Sequence, residues 1–197
     1  MTIETVYLAG GCYWGLEDLL SNITCVIETS VGFSGGHVKN VCYREVSTGT
    51  TGHAETVRVM FDNDIISFKE LLLFFFKIHD PTTLNQQGND IGTQYRSAIF
   101  ATTQEQILEA EDLIKKIDLS GILKNRITTE VNTFTSFFPA DENHQKYLQK
   151  YPDGYTCHFL RDINIMGDNN AVPITSIIAI EAKKSFQSLW IYVTAPF

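Results

Sequence analysis

Hydrophobic residues in this chain fall into short segments, some alternating and some at helical spacing, with Gly-rich and polar stretches between them. Thr5 to Ala9 puts Val6 and Leu8 on one face and Tyr7 on the other, which predicts a strand. Gly10 and Gly11 break it. From Cys12 to Leu20 the residues Trp14, Leu16, Leu19 and Leu20 take mixed helical spacing, so a helix begins near the cysteine. Thr24 to Val31 predicts a second strand, and the Gly-rich, polar stretch from Gly32 to Gly52 predicts a long loop. Long loops in compact domains are often functional. Glu55, Val57, Val59 and Phe61 share one face of a third strand. Ser67 and Glu70 form a capping-box pattern ahead of the apolar run Leu71 to Phe76, a helix start. His79 to Gly92 is a second polar loop, and Tyr95 to Ala101 is a strand. Thr103 and Gln106 open a helix with Ile107, Ala110, Ile114 and Ile117 on one side. Thr128 to Phe138 has β character, and Pro139 starts a predicted helix towards Lys150.

Strands and helices in this order predict an α/β or α+β sandwich in which helices cover a sheet. Composition shifts after Arg161. Residues 1–161 are expected to form one domain. Residues 162–197, with apolar runs Ile174–Ile180 and Leu189–Val193, are expected to be a C-terminal extension whose structure the pattern does not define.

A chain of 197 residues with 44% apolar residues can bury a sizeable core without covalent staples. Its net charge of −8 argues against nucleic acid, whose phosphates demand clustered Lys and Arg. The N-terminus has no basic stretch leading into a long apolar one, and Leu71–Phe76 is far too short to span a bilayer. A soluble, cytoplasmic protein that binds no membrane is expected. The four cysteines, Cys12, Cys25, Cys42 and Cys157, include no C-x-x-C pair. That removes zinc-ribbon and thioredoxin-like signatures, and four is too sparse for a secreted disulfide scaffold.

A reactive thiol then needs a local reason, and Cys12 has one. It follows a glycine turn at a predicted helix N-terminus, whose free N–H groups and partial positive charge favour thiolate. The same position also suits a buried structural cysteine. Glu55 shares its strand face with core residues, so desolvation would raise its pKa towards that of a general acid, unless the strand end lets it reach water. Tyr13 and Trp14 could hold a thioether methyl group against their rings, or simply pack the helix. His53, His79 and His144 are alternative bases for Cys12.

Together these pieces resemble the A-type peptide methionine sulfoxide reductases. The resemblance rests on Gly11-Cys12-Tyr13-Trp14-Gly15, on Tyr43-Arg44-Glu45-Val46 running on to Thr51-Gly52-His53-Ala54-Glu55, on His79-Asp80-Pro81-Thr82, and on Gln87-Gly88-Asn89-Asp90 running on to Gln94-Tyr95-Arg96-Ser97. It spans residues 4 to 161. It implies a two-layer sandwich with a ferredoxin-like core and reduction of the S epimer of methionine sulfoxide, free or in proteins. It implies Cys12 as nucleophile, Glu55 as proton donor to the sulfoxide oxygen, Tyr43 and Tyr95 as hydrogen-bond donors to that oxygen, Tyr13 and Trp14 around the methyl group, and Asp90 on the substrate backbone. Cys12 would become a sulfenic acid, form a disulfide with a second cysteine, and be restored by thioredoxin. No metal or organic cofactor is implied, and a monomer is expected.

The sequence departs from that pattern at Tyr13, usually Phe, whose hydroxyl must find a partner. At the resolving end, Thr156 stands between Gly154-Tyr155 and Cys157. Cys157, in an expected flexible stretch after a helix, is the expected resolving thiol. Cys42, beside Tyr43, is its competitor, and Cys25 is expected to be packed in a strand. Two other readings stay open: a cysteine hydrolase using Cys12 with His53 or His144, and a redox-sensing or binding module without turnover.

Overall fold

In the computed structural model, which describes residues 1–165, the alternation of Val6 and Leu8 against Tyr7 forms the strand β1 (Ile3–Gly10). The elements that follow are α1 (Tyr13–Ser21), β2 (Val26–Ser34), α2 (Tyr43–Val46), β3 (Ala54–Asp62) and α3 (Phe68–Ile78). Next come a small hairpin, β4 (Gln86–Gln87) and β5 (Asp90–Ile91), and a 3-10 turn, Thr93–Tyr95. The rest is β6 (Ser97–Ala101), α4 (Gln104–Ser120), β7 (Glu130–Thr133), β8 (Phe137–Pro139) and α5 (Tyr147–Lys150).

The main sheet has the order β7-β6-β1-β3-β2-β8. Every pairing is antiparallel except β6 with β7. Within it, β1-α1-β2-β3-α3-β6 pair in the order β6-β1-β3-β2, which is the ferredoxin-like arrangement expected of the α+β sandwich. Register explains the core. Val6 lies opposite Val59 and Leu8 opposite Val57, and all four are buried with Leu16, Leu20, Leu71 and Phe75. On the other face the residues are small, Ala9, Ala54 and Ala98, and Tyr7 stacks flat on Phe134 at 4.0 Å.

Several boundaries differ from the sequence expectation. The second strand starts at Val26 and runs to Ser34, because Gly32, Phe33 and Ser34 pair with both β3 and β8. Cys25 therefore sits in the turn before the strand, half-buried, rather than packed within it. Tyr95 ends a 3-10 turn, and β6 begins only at Ser97. The inward face of α4 is Gln106, Ala110, Leu113 and Ile117, so Ile107 and Ile114 lie at its margin. Pro139 does not open a helix. It closes β8 against Gly32, and α5 is a single turn eight residues later. Residues 163 and 165 still pack on the core, with Ile165 buried. The runs Ile174–Ile180 and Leu189–Val193 lie outside the described residues.

A buried carboxylate helps to hold the segment before α5, beside Gln145, which bonds both backbone groups of Val31. Glu17, on the inner side of α1 and 1% exposed, accepts from the Thr29 hydroxyl at 3.0 Å and the Lys146 backbone N–H at 2.8 Å, and pairs with the Lys146 ammonium at 3.2 Å. Removing a buried ionic partner strands the groups that it satisfied. Glu17→Ala should cost about 3 kcal/mol, the low end for such pairs because Lys146 can turn to water. Urea unfolding checks this, and a loss below about 0.5 kcal/mol would show that the pair is not holding the segment.

Candidate active site

The β1–β3 register, carried two residues beyond the Leu8–Val57 pair, sets Gly10 against Glu55, so the Glu55 side chain rises on the helix-facing side beside the Gly10–Cys12 turn. Gly11 makes that turn possible. Its φ of 108° lies in the left-handed half of backbone space, and a Cβ there would lie 2.6 Å from the Cβ of Gln87. Cys12 then caps α1, 6% exposed.

Glu55 is 3% exposed, so it does not reach water at the strand end. Its carboxylate accepts the Tyr13 backbone N–H at 3.1 Å, the first free donor of α1. That contact favours the charged form, but burial outweighs it and the nearby Asp90 charge adds to burial, pushing the carboxyl up to about 8. Cys12 goes against expectation. Burial is the largest influence on it and the Glu55 charge the next, and together they push the thiol well above its ordinary value, while the Trp14 backbone N–H pulls only weakly the other way. The helix N-terminus thus serves both groups, through Tyr13 and Trp14, and Cys12 rests as a thiol.

Tyr43 opens α2 and Tyr95 ends the 3-10 turn, each half-buried. Burial raises both phenols, and the Glu55 charge is the second influence on each, so both lie within electrostatic reach of that carboxyl and remain donors. Asp90, on β5, faces the Cys157 thiol and the Tyr155 hydroxyl, and its Oδ2 is buried without a well-aligned partner.

The Tyr13 hydroxyl finds its partner in His144 Nδ1 at 3.0 Å. Trp14 stacks on Tyr147 at 3.9 Å and on His144 at 5.7 Å, and Tyr43 lies 4.7 Å from His144. His144 and Tyr147 therefore build an aromatic wall that sequence reading did not assign. The signal was the unpaired hydroxyl of Tyr13, but its partner lies 131 positions away.

The other histidines are occupied. His79 donates from Nδ1 to the Phe75 carbonyl and accepts the Ser97 hydroxyl at Nε2, and burial pushes it down to about 3. His53 accepts the Gly36 N–H and donates to the Val38 carbonyl. Neither is free to serve Cys12 as a base.

Cys157 is not on a loose segment. The backbone N–H of Cys12 reaches its sulfur, His158 donates to the Gly10 carbonyl at 2.7 Å, and the Arg161 N–H donates to the Lys77 carbonyl at 2.9 Å. Cys42 is exposed at the start of α2. All four cysteines are reduced, and among the described residues no cluster of three His, Cys, Asp or Glu could hold a metal ion.

A carboxyl raised to about 8 has a thermodynamic signature. The folded form holds its proton more tightly than the unfolded chain, whose carboxyl titrates near 4.5. Glu55 therefore loses stability for the fold as pH rises from about 4.5 to about 8. Glu55→Gln keeps the oxygen that accepts the Tyr13 N–H and has no charge to bury. Its melting temperature relative to wild type should climb across that window and level off above it. A constant difference would place the carboxyl in water.

The family model described as peptide methionine sulfoxide reductase matches residues 4–169. Peptide methionine sulfoxide reductase MsrA 1 of Mesorhizobium japonicum is 51% identical over 158 residues, covering 80% of this chain and 90% of that one. Among solved structures, reduced Mxr1 of Saccharomyces cerevisiae is 36% identical with a TM-score of 0.77, covering 81% of this chain and 93% of its own. Methionine sulfoxide reductase A of Corynebacterium diphtheriae is 40% identical with a TM-score of 0.71, covering 78% of this chain and 77% of its own.

Proposed function

The chain belongs to the peptide methionine sulfoxide reductase family and is an oxidoreductase of methionine sulfoxide, and we propose that it reduces the S epimer, free or in proteins, through Cys12 and Glu55. The observation that carries this reading is a buried carboxyl, neutral up to about pH 8, sharing its site with a buried thiol and two tyrosine hydroxyls.

A sulfoxide resists attack because its oxygen is a basic, poor leaving group. Tyr43 and Tyr95 donate to that oxygen and Glu55 transfers its proton to it as the Cys12 sulfur bonds to the sulfoxide sulfur. Glu55, now a carboxylate, takes up the thiol proton. A second proton from Glu55 lets the oxygen leave the methionine sulfur as water; water then bonds to the Cys12 sulfur as the S–S bond breaks, so methionine leaves, Cys12 is a sulfenic acid, and the proton shed by that water returns to Glu55. One acid thus does the work of both acid and base, which fits a thiol that burial keeps protonated. Tyr13 and Trp14, backed by His144 and Tyr147, hold the methyl group. The free Oδ2 of Asp90 is suited to accept a substrate backbone N–H.

Cys157, packed against the Cys12 backbone, resolves the sulfenic acid as a disulfide. Thioredoxin then restores both thiols; Mxr1 has been solved in complex with Trx2. Four sparse cysteines without a C-x-x-C pair suit a reducing compartment such as the cytoplasm. Occupation of His53 and the link between His144 and Tyr13 leave a cysteine hydrolase without a free base.

Rapid-quench single turnover tests the reading. Wild type should consume methionine S-sulfoxide and spare the R epimer, and Cys12→Ser should form no methionine. Glu55→Gln should slow the first methionine release by about 10² to 10⁴. Comparable use of both epimers, or a Glu55→Gln rate within twofold of wild type, would overturn the stereochemistry or the acid respectively.

The pH dependence follows from the neutral pair. Because the reactive form carries both protons, the wild-type rate of first methionine release should fall above about pH 8. A rate that keeps rising through that point would show a preformed Cys12 thiolate as the nucleophile.

A further inference from the structure

The segment that carries Cys157 docks on the nucleophile's own turn through one imidazole. His158 is 4% exposed. Its Nε2 lies 2.7 Å from the Gly10 carbonyl and its Nδ1 lies 3.4 Å from the Cys157 sulfur. A carbonyl can only accept, so Nε2 bears the ring proton of the neutral imidazole. Nδ1 is then an open lone pair aimed at the thiol. We propose that His158 is a catalytic residue of the resolving step, accepting the Cys157 thiol proton at Nδ1 while the Gly10 carbonyl fixes its tautomer. The inference rests on the reading above, in which Cys157 attacks a Cys12 sulfenic acid.

The seat for this imidazole is built into the glycine turn. A Cβ on Gly11 would come 3.1 Å from His158 Cε1, and one on Gly15 would come 2.9 Å from His158 Nδ1 and collide with the Thr156 hydroxyl. Both positions face the docked segment without side chains. The Thr156 hydroxyl also accepts the His158 backbone N–H at 3.1 Å, shaping the bend that presents Cys157. The inserted Thr156 of the motif therefore has a structural use.

The step balances. The Cys157 sulfur bonds to the Cys12 sulfur, and the S–O bond of the sulfenic acid breaks. The departing hydroxide leaves as water, its second proton being the one Cys157 gave up, relayed by His158. Cys12 is the oxidised partner reduced to the disulfide level, Cys157 is oxidised to it, and His158 ends neutral.

The thiol needs such help. Burial and the Asp90 carboxylate push Cys157 up to about 12, so almost none is thiolate at neutral pH. Burial pushes His158 down to about 4, which keeps Nδ1 unprotonated in the physiological range but makes it a weak base, so the thiol proton moves to it as the S–S bond forms and not before. Five titratable groups surround this pair, among them Tyr155 on the same segment, whose hydroxyl also meets Asp90. Asp90 approaches from β5 and Cys12 from the start of α1, with Glu55 behind it, and His79 lies at the end of α3. Asp90 is the rival acceptor, but its charge opposes a thiolate where a neutral imidazole does not.

The experiment follows one oxidation cycle without external reductant, counting methionine and trapping the Cys12 sulfenic acid and the disulfide at timed quenches. His158→Gln places an amide near Nε2, able to donate to Gly10, and lacks the Nδ1 acceptor. It should still yield its equivalent of methionine and accumulate sulfenic acid, with disulfide formation slowed by about 10². Asp90→Asn should form disulfide no more slowly than wild type once sulfenic acid is present. In wild type, which avoids any folding defect, the disulfide rate should not rise between about pH 6 and about pH 8, since the base is already neutral there. Wild-type disulfide kinetics in His158→Gln, slowing in Asp90→Asn alone, or a tenfold rise per pH unit in wild type would each overturn the proposal. Failure of wild type to release methionine at all would instead overturn the function reading, and this inference with it.

Discussion

The hydrogen bond from the Tyr13 backbone N–H to the Glu55 carboxyl, 3.1 Å long, is the constraint on which the site depends. It ties the end of one central strand to the start of the helix that follows its neighbour. Glu55 occupies a core-facing position because Leu8 pairs with Val57 and Val6 with Val59, and the alternation leaves it no other face. A carboxyl there can be satisfied by N–H groups or by a proton, and a single helix N–H is not enough to hold the charge against burial. The group therefore keeps its proton to about pH 8. The Cys12 thiol beside it is left without the positive environment that lowers thiol pKa values.

That allocation shapes the chemistry. A site built around a preformed thiolate would need cations or several donors, and the groups facing Cys12 are Glu55, Cys157 and Asp90. The proposed mechanism, in which one proton-holding carboxyl gives at the sulfoxide oxygen and takes back from the thiol, needs only a dry enclosure. The enclosure comes from long-range packing. Trp14 is held between the rings of His144 and Tyr147, and the segment bearing those rings is pinned by Glu17 through Lys146. In the proposed mechanism the Gly10–Cys12 turn serves both half-reactions, its side chain attacking the sulfoxide while its carbonyl anchors His158.

Much of this was legible in sequence because it is local. Alternation in β1 and β3, the Ser67–Glu70 capping box and the glycines before Cys12 each reflect contacts within a few residues. Glu55 was legible for the same reason, as a carboxylate sharing a strand face with Val57, Val59 and Phe61. What failed depended on partners far along the chain. Pro139 was read as a helix start, but β2 recruits it as an edge strand. Cys12 at a helix start suggested a lowered thiol, but burial and a glutamate 43 positions away, which also takes the first helix amide, outweigh the Trp14 N–H that reaches it. Cys157 was placed on a flexible stretch, and three contacts from Gly10, Cys12 and Lys77 hold it instead. No local pattern encodes an imidazole that reaches back 148 positions to a carbonyl.

The protonation state of Glu55 is the centre of the account, and infrared difference spectroscopy reads it without relying on turnover. A protonated carboxyl has a carbonyl stretch distinct from that of a carboxylate. Wild type minus Glu55→Gln at neutral pH should show that carboxylic acid band, and the band should fade as pH rises through about 8. A band absent at neutral pH, with carboxylate signal already full and titrating near the ordinary 4.5, would contradict the account.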